Sequence, residues 1–456
     1  MPEPAPAAAA APAPPLRAAL QSLGCRLNHA ESDLLRQRLL AAGYALVPWG
    51  EPAEVAIVNS CTVTVQADAD TRQALRQARR AHPQARVAVV GCAAQVGAAT
   101  WTHAGLADLV LGTADKLSAV ERLGRMLPGA PPVVAVARPP RTPFTLDWNG
   151  LPEPAEGAPA SLTRAHLKVQ DGCDFMCSFC IIPQARGRGR SRALEDLVAE
   201  AEARAAGGAL EIVLTGVNLG TYAERGASLL EVVDRLDAIP GLARIRISSI
   251  EPTTVPVGLL ERMVQPGRKL VPFLHLPLQS GADRVLQAMR RRYRRDQYAQ
   301  FAQRALQQVP DLCLGTDVLV GYPGEEDADF AETLALARDL PFAYLHVFTY
   351  SARPGTTAAT RVDTVPGQTI RRRAALLRAL SEDKRRAFHR LHVGRVLPVL
   401  MERPRAATLA EGYTANYIRV RVPCADAFRL RNRIVPVRLL EAGGAAMSGE
   451  LAGDSA

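Results

Sequence analysis

The chain has 456 residues, 48% of them hydrophobic, with a formal net charge of +10 and a pI near 9.5. That length exceeds a single core and implies roughly two to four domains. No apolar run is long enough to span a bilayer, and Met1 to Pro15 lacks the basic and leucine-rich regions of a secretory signal, which excludes a membrane partner.

The expected compartment is therefore reducing and cytoplasmic. The eight cysteines are expected as thiols or metal ligands rather than disulfides. The basic surplus favours a polyanionic partner, nucleic acid first.

Residues 1–16, rich in Ala and Pro, read as a disordered tail. From 17 to 130, short apolar runs alternate with helical patterns. Leu16 to Leu23, Glu54 to Asn59 and Ala85 to Val90 read as strands, with helices around Glu31 to Ala42 and Asp70 to Ala81. This βαβ alternation predicts a parallel sheet. Cys25, Cys61 and Cys92 each follow one of the three strands, behind Gly24, Asn59-Ser60 and Gly91. In a parallel sheet such loops emerge at one edge, so the three thiols are expected to converge on a cluster site. The alternative is three separately buried cysteines.

Residues 131–160, dense in proline, read as an interdomain linker. From 161 to 387 the alternation resumes. Strand-like runs lie at His166 to Gln170, Glu211 to Thr215, Arg244 to Ser249, Phe273 to Leu278, Thr316 to Val320 and Tyr344 to Phe348. An eight-fold barrel needs two more units, so a partial (β/α)6 barrel is expected. Just after its first strand stand Cys173, Cys177 and Cys180, spaced C-x3-C-x2-C. A structural zinc site takes four ligands, often as C-x2-C pairs. No fourth Cys or His follows at zinc-like spacing. A [4Fe–4S] cluster held by three cysteines keeps one iron open to a small molecule. Cys313 and Cys424 read as lone buried thiols. His275 and Asp317 read as inward-facing, hydrogen-bonding barrel residues.

Residues 388–445 change character. Val396 to Leu400, Tyr417 to Val422 and Ile434 to Val437 are short strands without helices between, which suggests a small antiparallel barrel, OB-like, before a tail at 446–456. Tyr413, Tyr417, Arg419 and Arg421 offer stacking faces and charge for single-stranded nucleic acid, or are ordinary edge-strand residues. Basic runs occur at Arg186 to Arg192, Arg290 to Arg295, Arg371 to Arg373 and Lys384 to Arg386. Arg186, Arg188, Arg190 and Arg192, just past the cysteine loop, are candidates for pairing with phosphates. The fold class is thus α/β: a parallel-sheet domain, a partial barrel and a small β-barrel.

The cysteine trios, with Gln170-Asp171-Gly172-Cys173, Leu214-Thr215-Gly216-Val217-Asn218, His275-Leu276-Pro277-Leu278-Gln279-Ser280-Gly281 and Gly321-Tyr322-Pro323-Gly324-Glu325, resemble the methylthiotransferases of the radical SAM superfamily over nearly the whole chain. Gln170 to Asp174 and Leu214 to Asn218 look most like the branch that modifies N6-threonylcarbamoyladenosine at position 37 of tRNA. Met176, Gln184 and Ala93 depart from the usual pattern and touch neither ligand set. The resemblance implies two [4Fe-4S] clusters and S-adenosylmethionine. Cys173, Cys177 and Cys180 would hold the cluster that reduces S-adenosylmethionine to a radical able to take hydrogen from C2 of adenine. Cys25, Cys61 and Cys92 would hold an auxiliary cluster carrying the sulfur. Thr215, Gly216, Ser248 and Gln279 would face S-adenosylmethionine. The last domain looks like a TRAM module. Implied partners are a tRNA anticodon stem-loop, an electron donor such as flavodoxin or ferredoxin, and a sulfur donor. The competing readings are a methylthiotransferase acting on isopentenyladenosine-37 or on a ribosomal-protein aspartate, a non-enzymatic RNA-binding iron–sulfur protein, and a zinc-stabilised RNA binder.

Overall fold

The computed structural model describes residues 15–103, 105–127, 129–146, 148, 163–404 and 406–453. Residues 1–14 of the expected tail and 147 and 149–160 of the expected linker lie outside these.

The N-terminal unit is a six-stranded parallel sheet. Its strands are β1 (Arg17–Ser22), β2 (Ala45–Val47), β3 (Val55–Ser60), β4 (Arg86–Gly91), β5 (Leu109–Leu111) and β6 (Val133–Ala135). Their order is β2-β1-β3-β4-β5-β6. Every residue of β3 is buried, because helices cover both faces of the sheet, which separates two apolar clusters. Helix α1 (Arg26–Ala41) is entered through Cys25, and α2 (Val65–Ala81) is capped by Thr64, whose hydroxyl accepts from Ala67 N at 3.1 Å. β6 belongs to this sheet, although the sequence reading placed its residues in the linker. β2, β5 and β6 are three residues each, too short to show a period.

The middle unit has six parallel strands: β7 (Arg164–Lys168), β8 (Glu211–Thr215), β9 (Arg244–Ile247), β10 (Phe273–His275), β11 (Cys313–Val320) and β12 (Tyr344–Thr349). They pair as two groups of three, joined where Val271 N donates to Ile245 O at 3.0 Å. The result is an open barrel with β7 and β12 as its edges. Helix α1 packs along β7, so the N-terminal unit covers the open side.

The last unit is a closed barrel of β13 (Val396–Met401), β14 (Leu409–Thr414), β15 (Arg419–Pro423), β16 (Ile434–Leu439) and β17 (Met447–Leu451), ordered β13-β14-β15-β17-β16. β17 lies where the sequence reading placed a tail. It pairs with both β15 and β16 and closes the barrel. The barrel is held at the amino ends of the middle strands. Arg244 donates to Tyr413 O at 2.8 Å and Pro398 O at 2.7 Å, and Arg246 donates to Ala415 O at 2.9 Å. Among the described residues, no helix is long and apolar enough to cross a membrane.

Candidate functional site

In the N-terminal sheet, β2 and β3 flank β1 on opposite sides, so the strand order reverses between β1 and β3. Loops diverge at such a switch point and leave a crevice at the carboxyl edge. Cys25 caps α1 after β1, Cys61 follows the last residue of β3, and Cys92 follows the last residue of β4. Gly24 has φ +90°, and a Cβ there would lie 2.7 Å from Cys61 Sγ, so the Cys25 loop rests directly on Cys61. Cys61 and Cys92 are buried and Cys25 is exposed. Burial, reinforced by Cys92 and Cys25, pushes the Cys61 thiol up to about 12. Metal binding to such buried thiols must release their protons.

The mid-chain trio sits on the loop after β7. A two-residue ladder between Gln170–Asp171 and Arg190–Ser191 pins that loop. Gly172, at φ +70°, crosses so close to Arg188 that a Cβ would lie 2.1 Å from Arg188 O. Phe175 N donates to Cys173 Sγ at 3.4 Å, and Arg291 Nη1 donates to Cys177 Sγ at 3.4 Å. Arg291 is fixed in turn by Glu251. Burial pushes Cys173 up to about 11 and Cys180 up to about 12. Among the described residues, only His275, Asp317 and His346 bring three ligand atoms within 4.8 Å of one another. Each cysteine trio is therefore wider than the shell of a single zinc ion, whose bonds to sulfur are about 2.3 Å. A cluster of several irons suits that spread. Cys313 and Cys424 stand apart, in the barrel core and against the C-terminal core.

A buried ionic bridge joins the two cysteine loops. Glu31 of α1 meets Lys116 at 2.5 Å, Lys168 at 2.7 Å and Arg186 at 3.1 Å. Asp171 meets Lys168 at 2.6 Å, Arg186 at 2.9 Å and Arg190 at 3.3 Å. Burial opposes the charge on Glu31, but Arg186, Lys116 and Lys168 hold its carboxyl well below the usual range. Asp171 is likewise held low by Lys168 and Arg186 against burial. Four cations face two carboxylates, a surplus of two positive charges beside Cys25 and Cys92. Three thiolates and an iron cluster would supply the missing negative charge, so the residues fit that group.

The phosphate-pairing expectation is corrected for most of its arginines. Arg186 is 1% exposed and Arg192 fully buried; both are spent on internal carboxylates. Arg190 points inward to Asp171, and only Arg188 is partly exposed, 3.5 Å from Asp174. Buried carboxylates on distant elements, invisible in composition, hold this basic run inward. Among the four residues expected to face S-adenosylmethionine, the Thr215 hydroxyl is spent on Leu167 O at 3.0 Å. Gly216 packs on Gln170, whose Oε1 accepts from Val217 N at 2.9 Å and Asn218 N at 3.0 Å. Ser248 is buried after β9. Gln279 has φ +68° after β10, locked by Asp317 O at 2.8 Å. Tyr413 and Tyr417 stack on each other, and Arg164 covers the Tyr413 ring at 4.4 Å, so free stacking faces are not what they offer. Tyr417 lies in a turn at φ +66° rather than on a strand. Arg419 and Arg421 share Glu411. Sequence reasoning missed Glu31, Lys116 and Lys168, and named Gln170 and Arg291 only within a motif and a basic run; a lone charged residue in a helix or strand carries no signal of its distant partner.

Comparison with known proteins identifies the family. Residues 167–337 match the radical SAM superfamily, and residues 17–112 match UPF0004, described as an uncharacterized protein family. Threonylcarbamoyladenosine tRNA methylthiotransferase MtaB of Aquifex aeolicus is 35% identical, covering 89% of this chain and 96% of that protein. The chain belongs to the radical SAM methylthiotransferase family. The Bacillus subtilis MtaB is 34% identical over 93% of this chain and 94% of that protein. The tRNA-2-methylthio-N(6)-dimethylallyladenosine synthase of Cereibacter sphaeroides is also 34% identical, over 95% of this chain and 98% of that protein. The radical S-adenosylmethionine methyltransferase TsrM of Kitasatospora setae has the same fold, with a TM-score of 0.53 at 17% identity over 76% of this chain and 77% of that one. This methylthiotransferase is thus a radical SAM enzyme, and its family's cofactors are S-adenosylmethionine and [4Fe–4S] iron.

Proposed function

We propose that this enzyme converts N6-threonylcarbamoyladenosine at position 37 of tRNA to its 2-methylthio derivative. The observation that carries the reading is the pair of three-cysteine loops tied together by one buried ionic bridge. In this reading Cys173, Cys177 and Cys180 hold one cluster and Cys25, Cys61 and Cys92 the other, each leaving one iron without a protein ligand. Bound there, the clusters and S-adenosylmethionine supply the radical and sulfur chemistry that no side chain can provide.

The chain's own residues position and shield. Arg291 and the Phe175 amide donate to cluster-loop sulfurs and lower the cost of their negative charge. Gln170 fastens the loop after β7 to the loop after β8, so the barrel rim is rigid. Ser248 and Gln279 remain the candidates for S-adenosylmethionine. The closed C-terminal barrel fits the expected TRAM module, and base 37 must leave its stack to reach the lumen. Electrons from a flavodoxin or ferredoxin, and sulfur from a separate donor, complete the reaction in the cytoplasm.

Relatives named for threonylcarbamoyladenosine and for dimethylallyladenosine are nearly equal in identity. Gln170 to Asp174 and Leu214 to Asn218 favour the former. Mass spectrometry of tRNA nucleosides from cells lacking the protein tests this. Loss of 2-methylthio-N6-threonylcarbamoyladenosine is expected; its retention with loss of the dimethylallyl analogue moves the enzyme to the sister activity.

A further inference from the structure

Below the N-terminal unit, the open side of the middle barrel is not sealed. A cavity of about 230 Å³ remains between β12, the long helix Gly367–Arg390, the C-terminal barrel and the start of α1. All three units contribute to its wall. Arg26 comes from α1, Tyr344 and His346 from β12, Arg385 and Phe388 from the long helix, and Tyr413 and Tyr417 from the C-terminal barrel.

Its chemistry is one-sided. No aspartate or glutamate lines it. Arg26 makes no ion pair among the described residues: its guanidinium donates to the Tyr417 hydroxyl at 3.3 Å and lies 5.7 Å from the Phe273 ring centre. Arg385, half-buried, has no ion-pair partner among the described residues. This contrasts with the rest of the molecule, where most buried or half-buried arginines, such as Arg186, Arg192 and Arg373, are matched to carboxylates. Two guanidinium groups among rings, neither with a carboxylate partner among the described residues, are complementary to an anion from outside. The volume is below that of a typical cofactor pocket, about 300–1,000 Å³, and suits one small planar group with one oxyanion.

The cavity also has a direction. His346 is half exposed at its wall and reaches Asp317 at 3.4 Å, and Asp317 accepts from His275 at 2.9 Å. These three residues line the inner face of β10, β11 and β12. Arg26 is the residue after Cys25, about 3.8 Å away along the backbone. The cavity therefore extends from the C-terminal barrel to His346 on β12, and its wall includes the residue that follows Cys25.

We propose that this cavity seats one nucleotide of a single-stranded RNA loop, its phosphate between Arg26 and Arg385 and its base against His346 and Phe388, so that a neighbouring base enters the lumen. The inference rests on the tRNA reading above and adds the path by which the loop enters. A single strand is the class of polyanion that offers a phosphate and an unpaired ring together.

The test measures binding of a tRNA anticodon stem-loop hairpin to the anaerobically reconstituted full chain across salt concentrations. Removing one phosphate contact lowers the slope of log affinity against log salt by about one. Arg385→Ala is expected to do so, Arg385→Lys to restore most of the slope, and Arg390→Ala, on the same helix outside the cavity, to leave it unchanged. Iron content and melting temperature serve as controls for folding. Equal losses from Arg385→Ala and Arg390→Ala, or no loss from Arg385→Ala, overturn the cavity assignment alone. A loss seen only with a hairpin carrying threonylcarbamoyladenosine overturns the phosphate and points to that group's carboxylate. Failure of the unaltered protein to bind either hairpin overturns the tRNA reading and the cavity with it.

Discussion

Arg186 shows how little a residue's type says about its task. It follows the cysteine loop in a run of arginines, yet it is 1% exposed and donates to Asn28 Oδ1 at 2.5 Å, to Glu31 and to Asp171. Removing one partner of a buried ion pair strands the others, at a cost of about 3–5 kcal/mol. Arg186→Ala is therefore expected to destabilise the protein by that amount in urea unfolding, whereas Arg188→Ala should change the midpoint little. The cysteines make a different prediction. Cys177→Ser and Cys61→Ser should each leave about half of the iron of the reconstituted protein, because each spares one trio. Iron and sulfide analysis reads this directly; full iron in either variant would remove that trio from the ligand set.

At the scale of elements, the loop after β7 is shaped by backbone as much as by cysteines. Gly172 has a left-handed backbone and no room for a Cβ against Arg188 O at 2.1 Å. Gly172→Ala should displace the loop, with loss of about half the iron while the N-terminal site stays loaded. The radical SAM site would then fail to cleave S-adenosylmethionine, although no ligand was changed. Helix α1 likewise carries more than its cap residue. Asn28 bonds Leu23 O and Ser60 O at 2.7 and 2.9 Å, and Glu31 reaches into the middle barrel. One helix face thus holds the first cysteine loop and the domain interface together.

For the whole molecule, the ionic bridge sets an acid limit. The folded-state affinities of Glu31 and Asp171 for protons are lowered from ordinary values of 4.5 and 3.8. Groups depressed on folding add stability that is complete above their ordinary values and is lost as pH falls through the folded ones. Stability should hold from pH 7 down to about 5 and fall below about 4.5. Glu31→Gln should flatten that fall. Urea midpoints followed by tryptophan fluorescence at each pH check it; equal acid slopes in both proteins would contradict the assignment.

The sequence by itself determined the α/β class and its three parts, the parallel sheet, the partial barrel and the C-terminal β-barrel. Apolar runs such as Val55–Ser60, Arg86–Gly91 and Glu211–Thr215 carry their pattern locally, and the spacing of Cys173, Cys177 and Cys180 lies within a single loop. Tertiary structure decided what depends on distant partners. The three-residue strands β2, β5 and β6 exist only because neighbours pair with them, and β17 is a strand only because it closes a barrel. Arg186 and Arg190 turned inward because Glu31 and Asp171 wait there, while Arg26 and Arg385 have no carboxylate partner among the described residues. Charge pairing at long sequence separation is a property of the folded chain, and no local pattern encodes it.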